Sequence, residues 1–133
     1  MQVNKVRWAL SAAEAAGGAV GGLLLALPGT LLGRALGAGA NNGFGDLIGA
    51  ILVAALGYVV GTAAGVWVMG KRAQAPGALW AVALGSLAGG VLTLLLAQPL
   101  RLNETPWLLQ ATFLLLPPVL AAAAAQVTRR AVR

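Results

Sequence analysis

The chain alternates long apolar stretches with short polar connections. Four apolar segments stand out, at about 8–32, 47–69, 78–97 and 107–127. Each has close to the ~20 residues that a helix requires to cross the hydrocarbon core of a bilayer. Short connections join neighbouring antiparallel helices. The pattern therefore predicts an all-α fold, a four-transmembrane-helix up-down bundle that forms a single integral membrane domain over residues 1–133.

The amino-acid composition is typical of a membrane protein and excludes several classes of catalytic and metal-binding chemistry. Of the 133 residues, 59% are hydrophobic and only 9% are charged, which is too little charge to cover a soluble domain. The chain has no histidine and no cysteine, which excludes disulfides, thiol nucleophiles and histidine-based acid–base catalysis. The remaining residues assemble no nucleophile–base pair and no metal cluster. We therefore expect no enzymatic activity, no metal and no cofactor.

The nine Lys and Arg residues lie mainly at the ends of the apolar segments, where they report topology rather than a nucleic-acid surface. Four crossings place both termini and the second connection on one side of the membrane. That side carries Lys5, Arg7, Lys71, Arg72, Arg129, Arg130 and Arg133, and the other side carries Arg34 and Arg101. The asymmetry predicts cytoplasmic N- and C-termini in the cytoplasmic (inner) membrane. The expected partners are the lipid bilayer and other membrane subunits or further copies, with no nucleic acid.

Glycines recur at intervals of four residues, which puts them on one face of a helix. The helix-packing candidates are Gly17, Gly21, Gly49, Gly57, Gly61, Gly65, Gly85 and Gly89. Lipid provides no hydrophobic drive between apolar helices, so association depends on small residues that let backbones approach. We interpret these stripes as a glycine zipper. They serve either packing within one chain or contacts between chains, in a homo-oligomer or against a larger partner.

Glu14 is an acid well inside the first predicted span. An ionisable group at that depth costs on the order of 3 kcal/mol unless it is paired or hydrated. The candidate partners are Ser11, Gln126 and an arginine from the end of the fourth segment, either Arg129 or Arg130. Glu14 is therefore either half of a structural pair or an intramembrane functional carboxylate coupled to protons or cations.

Two local features lead to further predictions. Pro117 and Pro118 remove backbone donors in the middle of the fourth segment and predict a kink, with a hinge as the functional alternative. Asp46 opens the second segment and is expected to cap the free backbone donors there.

The chain also contains a weak internal match. Shifted by 72 residues, "WALSAAEAAGG" (8–18) lies over "WAVALGSLAGG" (80–90), with Trp8 on Trp80. The match raises the alternative that the bundle consists of two duplicated helical hairpins.

The stepped stretch "GDLIGAILVAALGYVVGTAAGVW" and the later "LLLPPVLA" resemble uncharacterised bacterial Gly/Ala-rich four-helix integral membrane proteins. The resemblance covers about the last two thirds of the chain and implies no activity. The hypothesis for function is an accessory or assembly subunit that packs through glycine-striped helices. The alternative is a small ion- or proton-coupled transporter or channel that uses Glu14.

Overall fold

The computed structural model describes residues 2–38, 44–75, 77–97, 99 and 104–131, with side chains from residue 8 onward. Within these ranges the chain forms four helices and no strand: α1 (Gln2–Gly37), α2 (Gly45–Arg72), α3 (Leu79–Ala97) and α4 (Pro106–Ala131). All four are long and apolar enough to cross a membrane. The prediction of an all-α, four-helix membrane fold is confirmed, and the protein is a small multi-pass membrane protein.

Three of the helices, α1, α2 and α4, extend past the apolar spans, because a backbone helix continues until a glycine-rich or turn-forming connection ends it. The apolar pattern predicts a first span at about 8–32, whereas α1 runs over 36 residues. At the start of α2, Phe44 holds the capping position and no side chain makes a capping bond. The predicted capping by Asp46 is therefore wrong. Asp46 lies inside the first turn, where a carboxylate still favours the positive end of the helix dipole.

The first hairpin brings the glycine faces of α1 and α2 into backbone contact. A Cβ added to Gly21 would lie 2.5 Å from the carbonyl oxygen of Gly61, and one added to Gly57 would lie 2.6 Å from that of Leu25. The same antiparallel register continues along both helices, through Gly17 with Gly65, Gly29 with Val53, Gly33 with Gly49 and Gly37 with Gly45. Each step of four residues along α1 is matched by a step of four in the opposite direction along α2. Any larger side chain on this stripe would push the two backbones apart.

The second hairpin packs glycines of α3 against a helix without glycine. A Cβ on Gly85 would lie 2.7 Å from the carbonyl oxygen of Leu120, and one on Gly89 would lie 2.5 Å from Cα of Pro117. The opposing face of α4 consists of alanines and the two prolines, and Ala121, Ala122 and Ala125 are buried. Small residues on both helices thus allow α3 and α4 to approach closely.

The two hairpins meet in a small apolar core, formed by Ala63, Val66, Val82, Ala121 and Ala125. This core lies in the half of the bundle that holds the ends of α2 and α4, which we call the packed half. In α2 the buried residues begin at Tyr58, and in α4 they begin at Pro117. In the opposite half, which we call the open half, residues 23–37, 45–57 and 106–116 bury only Gly29 and Gly33, and the end of α3 buries Thr93 and Ala97.

The charges of the described side chains follow the same division. Lys71, Arg72, Arg129 and Arg130 lie at the end of the packed half, in the last turns of α2 and α4. Arg34 lies at the other end, in the last turn of α1. The side chains of Lys5 and Arg7, and residues Arg101 and Arg133, fall outside the described part of the chain.

Replacing Gly21 by leucine tests the contact between α1 and α2. We expect Gly21→Leu to destabilise the protein by about 1–3 kcal/mol or more, because the new Cβ meets backbone that cannot rotate away. The matched control is Ala16→Leu, which adds a larger side chain at an exposed position of the same helix. Thermal unfolding in detergent should show a large drop for Gly21→Leu and little change for Ala16→Leu. Equal stability of the two variants would contradict the observed register.

Candidate functional site: a buried ion pair between the first and last helices

Glu14 and Arg129 form an ion pair inside the packed half. Nη1 of Arg129 donates to Oε2 of Glu14 at 3.1 Å, and Nη2 donates to Oε1. The glutamate side chain is fully buried, and the arginine side chain is 16% exposed. Two parallel bonds between a guanidinium and a carboxylate are a strong, directional form of charge pairing.

Three helices create the space for this pair. Glu14, Gly18 and Gly22 follow one another at four-residue intervals on α1, and all three are buried. On α2, Gly70 leaves room beside the pair, because a Cβ there would lie 2.9 Å from Nη2 of Arg129 and 3.0 Å from Oε1 of Glu14. Arg129 reaches the carboxylate from the last turn of α4. The contribution of Gly70 was not predicted from the sequence.

The other candidate partners have different contacts. Nε2 of Gln126 donates to Oγ of Ser11, which forms a second polar link between α1 and α4 close to the ion pair. Ser11 precedes Glu14 by three residues and Gln126 precedes Arg129 by three. Because α1 and α4 run in opposite directions, the two links lie side by side at a similar depth. The side chain of Arg130 is exposed. Of the two arginines considered, it is Arg129 that contacts Glu14.

Each charge of the pair offsets the free-energy cost of burying the other, which would be large for an unpaired charge. Arginine stays protonated in proteins, so a guanidinium held against a carboxylate supplies a permanent counter-charge. The Nε of Arg129 is buried without a hydrogen-bond partner among the described residues, which adds a desolvation cost. Among those residues no group of three or more acidic side chains could hold a metal ion. The arrangement is suited to fixing α1 against the end of α4.

A third polar contact covers a backbone carbonyl that the prolines of α4 leave without a helical donor. Pro118 has no N–H, so the carbonyl of Leu114, four residues earlier, loses its helical donor. The hydroxyl of Tyr58 donates to that oxygen at 2.6 Å, and its ring packs against Phe113 with 5.5 Å between centroids. The helix continues through both prolines from Pro106 to Ala131. A neighbouring helix therefore supplies the missing donor.

The sequence pattern does not predict this contact, although two signals in it point toward it. Tyr58 is the only tyrosine in the chain, and it lies within an apolar span where its hydroxyl requires a partner. The proline pair marks the carbonyls of residues 113 and 114 as acceptors without helical donors. Matching the donor to the acceptor depends on the register between α2 and α4, which no local pattern reveals.

The fold and this site define a class, namely a small multi-pass membrane bundle closed by a buried ion pair. No family model, curated protein or solved structure matches the chain. The function must therefore be inferred from the geometry of the chain itself.

Replacing one member of the ion pair should lower the free energy of unfolding more than replacing both members together. We expect Glu14→Gln or Arg129→Gln alone to destabilise the protein by about 3–5 kcal/mol, because each leaves an uncompensated buried charge. The double variant should recover most of that loss, since two neutral amides occupy the site. Thermal unfolding of the four proteins in detergent gives the coupling energy. Additive losses in the double variant would show that the two side chains do not interact.

The covered carbonyl of Leu114 gives a second prediction. Tyr58→Phe removes the donor and should cost about 1–3 kcal/mol, because a buried carbonyl is left unsatisfied. In a Pro118→Ala background the cost should shrink, since residue 118 then supplies its own N–H to Leu114. Unfolding midpoints of the single and double variants measure this difference. A Tyr58→Phe cost that is the same in both backgrounds would contradict the assigned contact.

Proposed function

We propose that the protein is an accessory or assembly subunit of a membrane complex, and that it docks through the open half of the bundle. The observation that carries the proposal is the contrast between the two halves. The packed half holds the apolar core, the ion pair and the link between Ser11 and Gln126, whereas among the described residues the open half leaves long helical surfaces without a neighbouring helix.

The first hairpin forms a rigid arm in the open half. Its helices have 36 and 28 residues, whereas α3 has 19. At 1.5 Å per residue these lengths correspond to about 54, 42 and 28 Å. The backbone contact between α1 and α2 continues as far as Gly37 and Gly45, so the arm keeps its shape without support from α3 or α4.

The arm presents large aliphatic side chains. Leu24, Leu27, Leu31, Leu36, Ile51, Leu52 and Leu56 are each more than half exposed. In a bilayer these side chains face either lipid or another apolar helix. A preformed arm loses little conformational entropy on binding, which favours docking against the transmembrane helices of a partner.

The glycines of the first hairpin are used for packing within the chain, which leaves the aliphatic side chains of the arm for docking. Gly57 and Gly61 contact α1 of the same chain, so they are occupied within the fold. A docking surface between chains must therefore use other residues. The exposed leucines and isoleucines of the open half are the available alternative.

The ion pair supports docking over transport. A transporter that used Glu14 to carry a proton or cation would benefit from a carboxylate that is accessible and free to exchange its partner. Glu14 is instead fully buried and held by Arg129. Proteoliposomes that contain a pH-sensitive dye discriminate between the two functions. Loss of proton flux in a folded Glu14→Gln/Arg129→Gln variant would favour the transporter, and an absence of flux in the wild type favours docking.

Mild-detergent purification from native membranes, followed by intact-complex mass spectrometry, tests the docking proposal. We expect stoichiometric larger subunits, or a defined homo-oligomer, to accompany the wild-type chain. Leu24→Ala/Leu27→Ala in the open half should release the partner. The control Leu84→Ala/Leu87→Ala truncates two similarly exposed leucines of α3 and should retain the partner. A monomer without partners in native membranes would contradict the proposal.

A further inference from the structure

The end of the packed half carries a cluster of cations, which we call the basic corner and which consists of Lys71, Arg72 and Arg130. All three side chains are exposed. Lys71 and Arg72 directly follow Gly70, whose position adjoins the guanidinium of Arg129, and Arg130 is the next residue along α4. The last turns of α2 and α4 therefore bring the three cations to the same end of the bundle.

No acidic side chain of the described residues neutralises the charge of this corner. The protein has three acidic residues, Glu14, Asp46 and Glu104. Glu14 is paired with Arg129, while Asp46 lies in the first turn of α2 and Glu104 lies just before α4, both at the opposite end. The basic corner thus presents positive charge with no acidic side chain beside it in the part of the chain that the structure describes.

The residues around the corner are those expected at the depth of lipid headgroups. The apolar residues just before it, Val68 and Val127, are exposed as expected for contact with lipid tails. Trp8 and Trp80 are exposed at the same end of the bundle, and exposed tryptophans mark the interface between membrane and water. The ammonium of Lys71 lies 3.9 Å from the ring centroid of Trp67, one turn deeper, which directs it toward the membrane rather than away from it.

We propose that the basic corner binds the headgroup of an anionic phospholipid. Its charge is complementary to a phosphodiester, and its position matches that of the headgroup layer. Each lysine or arginine near an anionic membrane surface strengthens the association by about fivefold. This inference does not depend on the proposed accessory function.

Nanodiscs with equimolar phosphatidylglycerol and phosphatidylcholine of the same acyl chains test the proposal. Native mass spectrometry of the full chain released from them should show preferential retention of phosphatidylglycerol. In Lys71→Gln/Arg72→Gln/Arg130→Gln the ratio of retained phosphatidylglycerol to phosphatidylcholine should fall at least about fivefold. The control Arg34→Gln removes a single exposed cation from the other end and should lower the ratio much less than the triple variant.

Two measurements on the wild-type chain complete the test without relying on the folding of a variant. Raising the ionic strength to about 0.5 M should reduce the preference, because exposed charges are screened. Inorganic phosphate at the molar concentration of the headgroup should leave the lipid bound. Equal retention of the two lipids, an unchanged ratio in the triple variant, or displacement by inorganic phosphate would overturn the assignment.

Discussion

The rest of the structure depends on the backbone contact between α1 and α2. Water drives apolar surfaces together in a soluble protein, but lipid is as apolar as the helices themselves, so close packing has to supply the attraction. Glycines at four-residue intervals supply it here, from Gly17 and Gly65 at one end to Gly37 and Gly45 at the other. A four-residue repeat exceeds the helical period of 3.6, and such repeats favour right-handed winding of one helix around the other.

That register also sets the position of the ion pair. Gly17 and Gly21 face the backbone of α2, whereas Glu14 and Gly18, on the neighbouring face of α1, point into the bundle. Glu14 therefore arrives beside Gly70. Polar contacts then orient the second hairpin on the first, because an alanine-rich core gives little shape specificity and buried polar groups accept few partners. Besides the ion pair these contacts include Gln126 with Ser11, Tyr58 with Leu114 and the hydroxyl of Ser86 with the carbonyl of Val59, at 2.8 Å.

The number and order of the helices could be predicted from the sequence because apolar length and short connections determine them locally. The glycine stripes were visible for the same reason, but a stripe does not reveal whether its partner is the same chain or another. The choice between Arg129 and Arg130 was also hidden, since consecutive residues point about 100° apart and helix ends are uncertain by a residue or two. The contact of Tyr58 with Leu114 required the spatial register of two distant segments. The suggested duplication of the hairpins stays a prediction.

Solid-state NMR of the protein in bilayers tests the central claim that the glycine contacts lie within one chain. The Cα atoms of Gly21 and Gly65 face each other across the first hairpin, so carbon–carbon transfer between them should give a cross-peak. Diluting labelled chains with unlabelled ones distinguishes contacts within a chain from contacts between chains. The account predicts that the cross-peak keeps its intensity per labelled chain. A cross-peak that fades with dilution, or that is absent at full labelling, would contradict it.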